Sequence, residues 1–169
     1  YHLCDDFAAE STAPAGFCHS RVIGTIMSTN QPTLPYQGGC LCGAVRYEVD
    51  VELPRASHCH CSMCRKAHGA AFATYVSVPR DKFRFTRGAD DALRRYESSP
   101  GVLRSFCMHC GSPLSWASKA RDGEEVDFTL GTLDAPIEPP QQWHIYTASK
   151  ASWYLIEDDD PQWPERKPE

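Results

Sequence analysis

The chain has 169 residues, 41% hydrophobic and 23% charged, with a formal net charge of −5. That length suits one domain with a real core, or one domain and a tail, and the acidic balance argues against the clustered positive face that nucleic acid or an anionic membrane requires. No apolar run approaches the ~20 residues needed to span a bilayer, and the start lacks the basic-then-apolar pattern of a signal peptide, so the cytoplasm is the expected compartment.

Residues 1–35 show no sustained period of 2 or 3.6 and read as an N-terminal extension. Met27 followed by Ser28-Thr29-Asn30 resembles a translation start, so residues 1–26, with Cys4 and Cys18, are expected to be a leader or non-native sequence and those two thiols to be bystanders. From Tyr36 onward the pattern turns β-rich. Ala44–Val51 alternates like a half-buried strand. A short helical turn is expected over Ser62–His68, stopping at Gly69. Phe72–Val78 is a β-branched and aromatic run ended by Pro79, and Lys82–Thr86 alternates again up to Gly88. Leu93–Tyr96 and Val102–Phe106 flank the turn-forming Ser98-Ser99-Pro100-Gly101. Glu125–Leu130 and His144–Thr147 are the last expected strands, giving a mainly β, antiparallel fold for residues 36–157. Residues 158–169, acidic and rich in proline, read as a solvated tail.

The outlying number is nine cysteines. An odd count in three tight groups is a poor disulfide framework. Cys40 and Cys42 are two apart, as are Cys59 and Cys61. In a strand such pairs share a face with Cα atoms about 6.5–7 Å apart, at or beyond the reach of a disulfide. Two thiolates on one face suit a shared metal instead, and the expectation is two zinc ions per chain.

Gly39-Cys40-Leu41-Cys42-Gly43 and Cys107-Met108-His109-Cys110-Gly111 are each two-ligand hooks in which glycine permits a tight turn. Together they supply four thiolates, a closed tetrahedral site whose binding energy would act as folding energy. Cys59, Cys61 and Cys64 form a second group of three, which leaves a coordination position open and marks a catalytic zinc. Three thiolates make the ion a mediocre activator of water and a better partner for a thiol, which coordination would deprotonate.

Alternatives remain at this level. His58, His60 or His109 could cap the three-thiol group and make it structural, although in an extended segment His58 and His60 face away from Cys59 and Cys61. Cys61 and Cys64 could instead join Cys40 and Cys42. Arg65 and Lys66 could attract a carboxylate-bearing substrate or simply be solvated. Trp116, Trp143 and Trp153 read as core or rim aromatics, and nothing ties His144 or Asp134 to the metal.

The segments 39–47, 58–66, Gly69-Ala70, 106–114 and 144–154, in this order, resemble the glutathione-dependent formaldehyde-activating enzyme family, which also includes the centromere protein V domain. The resemblance spans about Tyr36 to Trp163. It implies an Mss4-like arrangement of antiparallel sheets, with Cys40, Cys42, Cys107 and Cys110 on a structural zinc and Cys59, Cys61 and Cys64 on a catalytic one. It also implies a carbon–sulfur lyase related to S-(hydroxymethyl)glutathione synthase, with glutathione or a similar small thiol as its partner. The rival expectation is a non-catalytic zinc-binding interaction module. A centromere- or microtubule-binding role would want a basic region that this acidic chain lacks. The oligomeric state is left open.

Overall fold

The computed structural model describes residues 33–53, 55–121, 123–134, 136–137 and 140–168. The expected leader over residues 1–26, with Cys4 and Cys18, lies outside the described residues.

Among the described residues ten strands and one short α-helix follow in chain order: β1 Tyr36–Gly39, β2 Arg46–Val49, β3 Arg55–Cys59, α1 Ser62–His68, β4 Ala73–Pro79, β5 Phe83–Arg87, β6 Leu93–Ser99, β7 Val102–Cys107, β8 Pro113–Ser118, β9 Glu125–Thr129 and β10 Gln141–Ile145. They make a three-stranded sheet, β1-β2-β5, and a seven-stranded sheet in the order β10-β3-β4-β9-β8-β7-β6. The architecture is mainly β, as expected. All pairings are antiparallel except β3 with β10, which run parallel. No described helix is long and apolar enough to cross a membrane.

Strong alternation produced the elements that the sequence announces. In β2, Tyr47 and Val49 are buried while Arg46 and Glu48 are only partly covered, and Glu48 pairs with Arg84 across the β2–β5 ladder. The hairpin between β6 and β7 turns at Gly101, whose φ is +75° and whose N–H donates to Glu97 Oε1 at 2.7 Å. Helix α1 starts at Cys61, stops at Gly69 with φ +61°, and is closed by the Gly69 N–H on the Arg65 carbonyl. Three strands were not expected: β1, β3 and β8. Two glycines in β1, the mixed polarity of β3 and the leading proline of β8 hide them from local propensity, and pairing partners supply what propensity lacks. The last strand starts three residues earlier than expected and ends at Ile145, just before Tyr146 with its left-handed φ of +58°.

The small sheet packs on one face of the large one. Tyr47, Phe83 and Phe128 cluster with ring centroids 5.1–6.0 Å apart, amid Val45, Val49, Val76, Val78 and Leu114. Each such side chain contributes about 1.5–3 kcal/mol by leaving water. The Tyr47 hydroxyl is satisfied by Thr132 Oγ1 at 2.7 Å. β1 approaches this ring so closely that a Cβ on Gly38 would collide with Tyr47 and lie 2.6 Å from the Thr132 carbonyl oxygen.

The acidic C-terminal segment is mostly exposed but is also tied to the sheet. Residues 158–168 run beside β10: the His144 N–H donates to the Pro161 carbonyl at 2.8 Å and the Trp163 N–H to the His144 carbonyl at 2.9 Å. Tyr146 N–H reaches the Glu165 carbonyl at 2.9 Å. Asp158 accepts from His144 Nε2 at 3.1 Å, and Lys167 Nζ sits 4.1 Å from the Trp143 ring centroid. The acidic composition had suggested a solvated tail, but the open edge of β10 offers backbone partners that composition does not reveal.

Two outcomes follow. Gly38→Ala should lower unfolding free energy by about 1–3 kcal/mol through overpacking, read from the urea midpoint; an unchanged midpoint would contradict the close approach. Ending the chain at Asp160 should speed amide hydrogen exchange at His144, Tyr146 and Thr147 relative to the core of β4, because their N–H partners are removed.

Candidate metal centres and the thiol pocket

Each two-cysteine hook is a tight turn that closes on its own backbone. Cys40 follows β1, and its N–H donates to the Val45 carbonyl at 3.0 Å while the Val45 N–H points at Cys40 Sγ at 3.2 Å. Gly43 turns with φ +74° and Gly111 with φ +76°. The Gly111 N–H returns to the Cys107 carbonyl at 2.9 Å. Ser112 joins the hooks: its Oγ accepts from the Leu41 N–H at 3.0 Å and lies 3.3 Å from Cys110 Sγ. That contact with Ser112 holds the Cys110 thiol down at about 5.

The thiols of Cys40, Cys42, Cys107 and Cys110 all lie within 4.8 Å of one another. All four are free cysteines. The Sγ separations are 3.5 Å for Cys40 and Cys42 and 3.8 Å for Cys42 and Cys107. A tetrahedral ion with Zn–S bonds of about 2.3 Å requires sulfur–sulfur edges of about 3.8 Å, so this group fits zinc in donor type and in spacing.

The second group sits where β3 passes into α1. Cys59 ends β3, Cys61 caps the helix, and Cys64 lies in its first turn, with all three sulfurs within 4.8 Å. Cys61 Sγ accepts from the Cys64 N–H at 3.3 Å. The neighbouring Cys59 and Cys64 thiols, then backbone N–H groups of Cys64 and Met63, push the Cys61 thiol down to about 2, while the Cys61 and Cys64 thiols and burial push Cys59 up. Three thiolates this close would repel one another, so the spacing suits a shared cation. Among the described residues no histidine nitrogen or carboxylate oxygen joins these sulfurs within that distance.

His58, His60 and His144 lie on the other face. His60 is fully buried, and its Nε2 is 2.8 Å from His144 Nδ1. His58 bonds Thr74 Oγ1 and Gln142 Oε1, each at 2.9 Å. His58, His144 and Asp160 also come within 4.8 Å of one another, but the histidine nitrogens are already engaged by Thr74, Gln142, His60 and Asp158.

Alternation in β3, β4 and β7 decides which side chains meet the three sulfurs. Val76 and Val78 enter the core, whereas Tyr75 and Ser77 border a cavity of about 330 Å³ with Cys59, Cys61 and Cys64 along one side. Trp116, Tyr146 and Val102 supply apolar wall, so Trp116 borders the pocket while Trp143 stacks edge-on to Trp163, and Trp153 is exposed. The lining cations are Arg104 and Arg166, not the Arg65 and Lys66 singled out in the sequence. Arg65 is spent on the carbonyls of His60 and Ser149, both at 3.2 Å. Asp134 pairs with Arg46, away from the pocket.

Arg104 escaped the sequence reading altogether. Its Nη1 and Nη2 donate toward Cys64 Sγ at 3.8 and 3.6 Å, Nη1 also donates to the Tyr75 hydroxyl oxygen at 3.2 Å, and Nε donates to Ser98 Oγ at 3.1 Å. The Tyr75 hydroxyl in turn lies 2.9 Å from His68 Nε2. Burial, with the Arg104 charge adding, depresses His68 to about 4, which favours the neutral ring that can accept a hydrogen bond from the Tyr75 hydroxyl. The signal available was the alternation Val102-Arg104-Phe106, which sets Arg104 on the face opposite Cys107.

The family described as "Glutathione-dependent formaldehyde-activating enzyme" matches residues 35–149, a span that contains all seven clustered cysteines. A Halomonas elongata protein, provisionally named a glutathione-dependent formaldehyde-activating enzyme, is 33% identical over 128 residues, covering 72% of this chain and 80% of that protein. An uncharacterized lyase of Schizosaccharomyces pombe is 30% identical over 82 residues, which are 48% of this chain and 57% of the relative. The crystal structure of a Rhodobacter sphaeroides protein shares the fold with a TM-score of 0.51 at 28% identity, covering 61% of this chain and 91% of that one. On the extent of the family match and the thiol-rich sheet architecture beneath it, this chain belongs to the glutathione-dependent formaldehyde-activating enzyme family.

Proposed function

We propose that the chain is a zinc-dependent carbon–sulfur lyase acting on adducts of glutathione or a similar small thiol, in the manner of an S-(hydroxymethyl)glutathione synthase. The observation that carries this reading is the unequal division of the thiols. Four sulfurs lie within 4.8 Å of one another, and three others border a cavity with no fourth histidine, cysteine or carboxylate donor among the described residues. Membership of the family, and relatives named as a formaldehyde-activating enzyme and a lyase, support the same class.

Cys40, Cys42, Cys107 and Cys110 would hold a structural zinc, and Cys59, Cys61 and Cys64 a second one. When bound there, a divalent zinc supplies the positive charge that favours the thiolate form of a substrate thiol. The remaining work belongs to the chain. Cys61, as the helix cap, fixes the spacing of the three donors through the Cys64 N–H. Trp116, Tyr146 and Val102 exclude water from one side of the pocket and pack against the carbon skeleton of the adduct. Holding sulfur and carbonyl carbon together in that cavity would provide much of the rate gain through orientation. The S. pombe relative is matched over little more than half its length, so substrate identity rests on the pocket and on the family.

The division of labour has direct tests. Cys40→Ser or Cys110→Ser should abolish cooperative folding, since a structural zinc contributes on the order of 10 kcal/mol, comparable to the whole stability of a domain. Cys61→Ser should leave a folded protein with one zinc. Equal loss of folding in both classes, read by circular dichroism with metal analysis, would defeat the assignment. Metal analysis of the unmodified protein should find two zinc ions per chain, one of them exchanging readily in millimolar glutathione. Two equally inert ions would favour the interaction module.

A further inference from the structure

A pocket that is to receive a thiolate beside three thiolates has an electrostatic difficulty. Three cysteinates on a divalent ion already sum to about one negative charge, and a fourth anionic sulfur would add another in a partly desolvated cavity. A fixed cation next to the sulfurs would offset that charge, and the described residues contain one in the right place.

Arg104 is half-buried and forms no ion pair with a carboxylate among the described residues. A guanidinium withdrawn from water in that way ordinarily has an anionic partner. Its contacts are Ser98 Oγ, the Tyr75 hydroxyl and, from both terminal nitrogens, Cys64 Sγ at 3.6 and 3.8 Å. Tyr75 is held in its turn by His68, so the fork is braced at two neutral points and its charge faces the three-thiol group. Arg166, the other lining cation, is exposed and lies in the C-terminal segment beside β10. It lacks this bracing.

We infer that Arg104 is a positioning residue of the three-thiol centre, whose fixed charge, delivered through Cys64 Sγ, allows a divalent ion there to accept a fourth, anionic sulfur. This rests on the thiol-adduct reading above and adds to it the residue that makes the centre selective for an anionic over a neutral incoming ligand. By donating to Cys64 Sγ, the guanidinium draws electron density from one donor and offsets the added charge when the incoming thiol leaves its proton to solvent.

The test uses the full chain loaded with cobalt(II), whose thiolate absorption reports ligands at the metal. It compares the parent with Arg104→Gln and Arg104→Lys. The probes are glutathione, 2-mercaptoethanol, which has no carboxylate, and imidazole, which binds neutral. Arg104→Gln should keep two metal ions per chain yet bind both thiols roughly 10- to 100-fold more weakly, with imidazole affinity unchanged; Arg104→Lys should recover part of the loss. Four outcomes overturn the role of Arg104: unchanged thiol affinity, an equal loss for imidazole, a loss confined to glutathione, or the loss of one metal ion per chain. The third would make Arg104 a carboxylate-binding group, and the second and fourth a structural one. If Arg104→Gln does not fold, Arg104→Lys decides by the same comparison. A parent protein that binds neither thiol at the metal overturns the lyase reading itself, and the Arg104 role with it.

Discussion

The central strands β4 and β9 have work on both faces. Val76, Val78, Val126 and Phe128 hold the small sheet against one side, while Tyr75, Ser77 and Asp127 line the cavity on the other. Because side chains alternate along a strand, a one-residue slip in this pairing would exchange the two sets and destroy core and pocket together. Ser77 opposite Asp127, with the Ser77 hydroxyl donating to the Asp127 carboxylate, fixes the register from the polar side. Val76 opposite Phe128 fixes it from the apolar side.

Placement of the thiols follows from that frame. Cys107 ends β7 on the core-facing set and is fully buried, whereas Arg104, three residues earlier, faces the pocket. The four-thiol group therefore gathers by the small sheet, where its hooks link the β1–β2 turn to the β7–β8 turn. The three-thiol group gathers on the opposite side, where β3 enters α1. Sequestering the two groups on different faces gives each its own dielectric and its own neighbours. One set is tied by Ser112 and the other by helix N–H groups and Arg104.

The last part of the chain reinforces the wall of the pocket. β10 runs parallel to β3 and carries Ile145 beside Cys59. Residues 158–168 then cover the outer edge of β10, and the Asp158–His144–His60 chain of polar contacts anchors the segment to the back of the cysteine-bearing strand. Arg166 reaches the pocket only because this segment is tied down. Pocket shape is thus coupled to a stretch of chain that supplies none of the clustered sulfurs.

Local chemistry by itself determined a good deal. The three cysteine clusters could be read from C-x-C and C-x-x-C spacing, because thiols two or three residues apart already share a face or a turn, whereas the meeting of Cys42 with Cys107 across 65 positions could not. Helix α1 could be read from Ser62 to Gly69, and the directions of His58 and His60 from period two. The strong strands β2, β4, β5, β7 and β9 were legible for the same reason. Weak strands β1, β3 and β8 were not, since glycine, proline and polar residues become strands only against a partner. The parallel pairing of β3 with β10, the holding of the acidic tail and the seat of Arg104 on Cys64 were decided by tertiary structure. Ile145 pairs with Cys59 from 86 positions away and Arg104 meets Cys64 from 40, across sheet neighbours whose order no local pattern specifies.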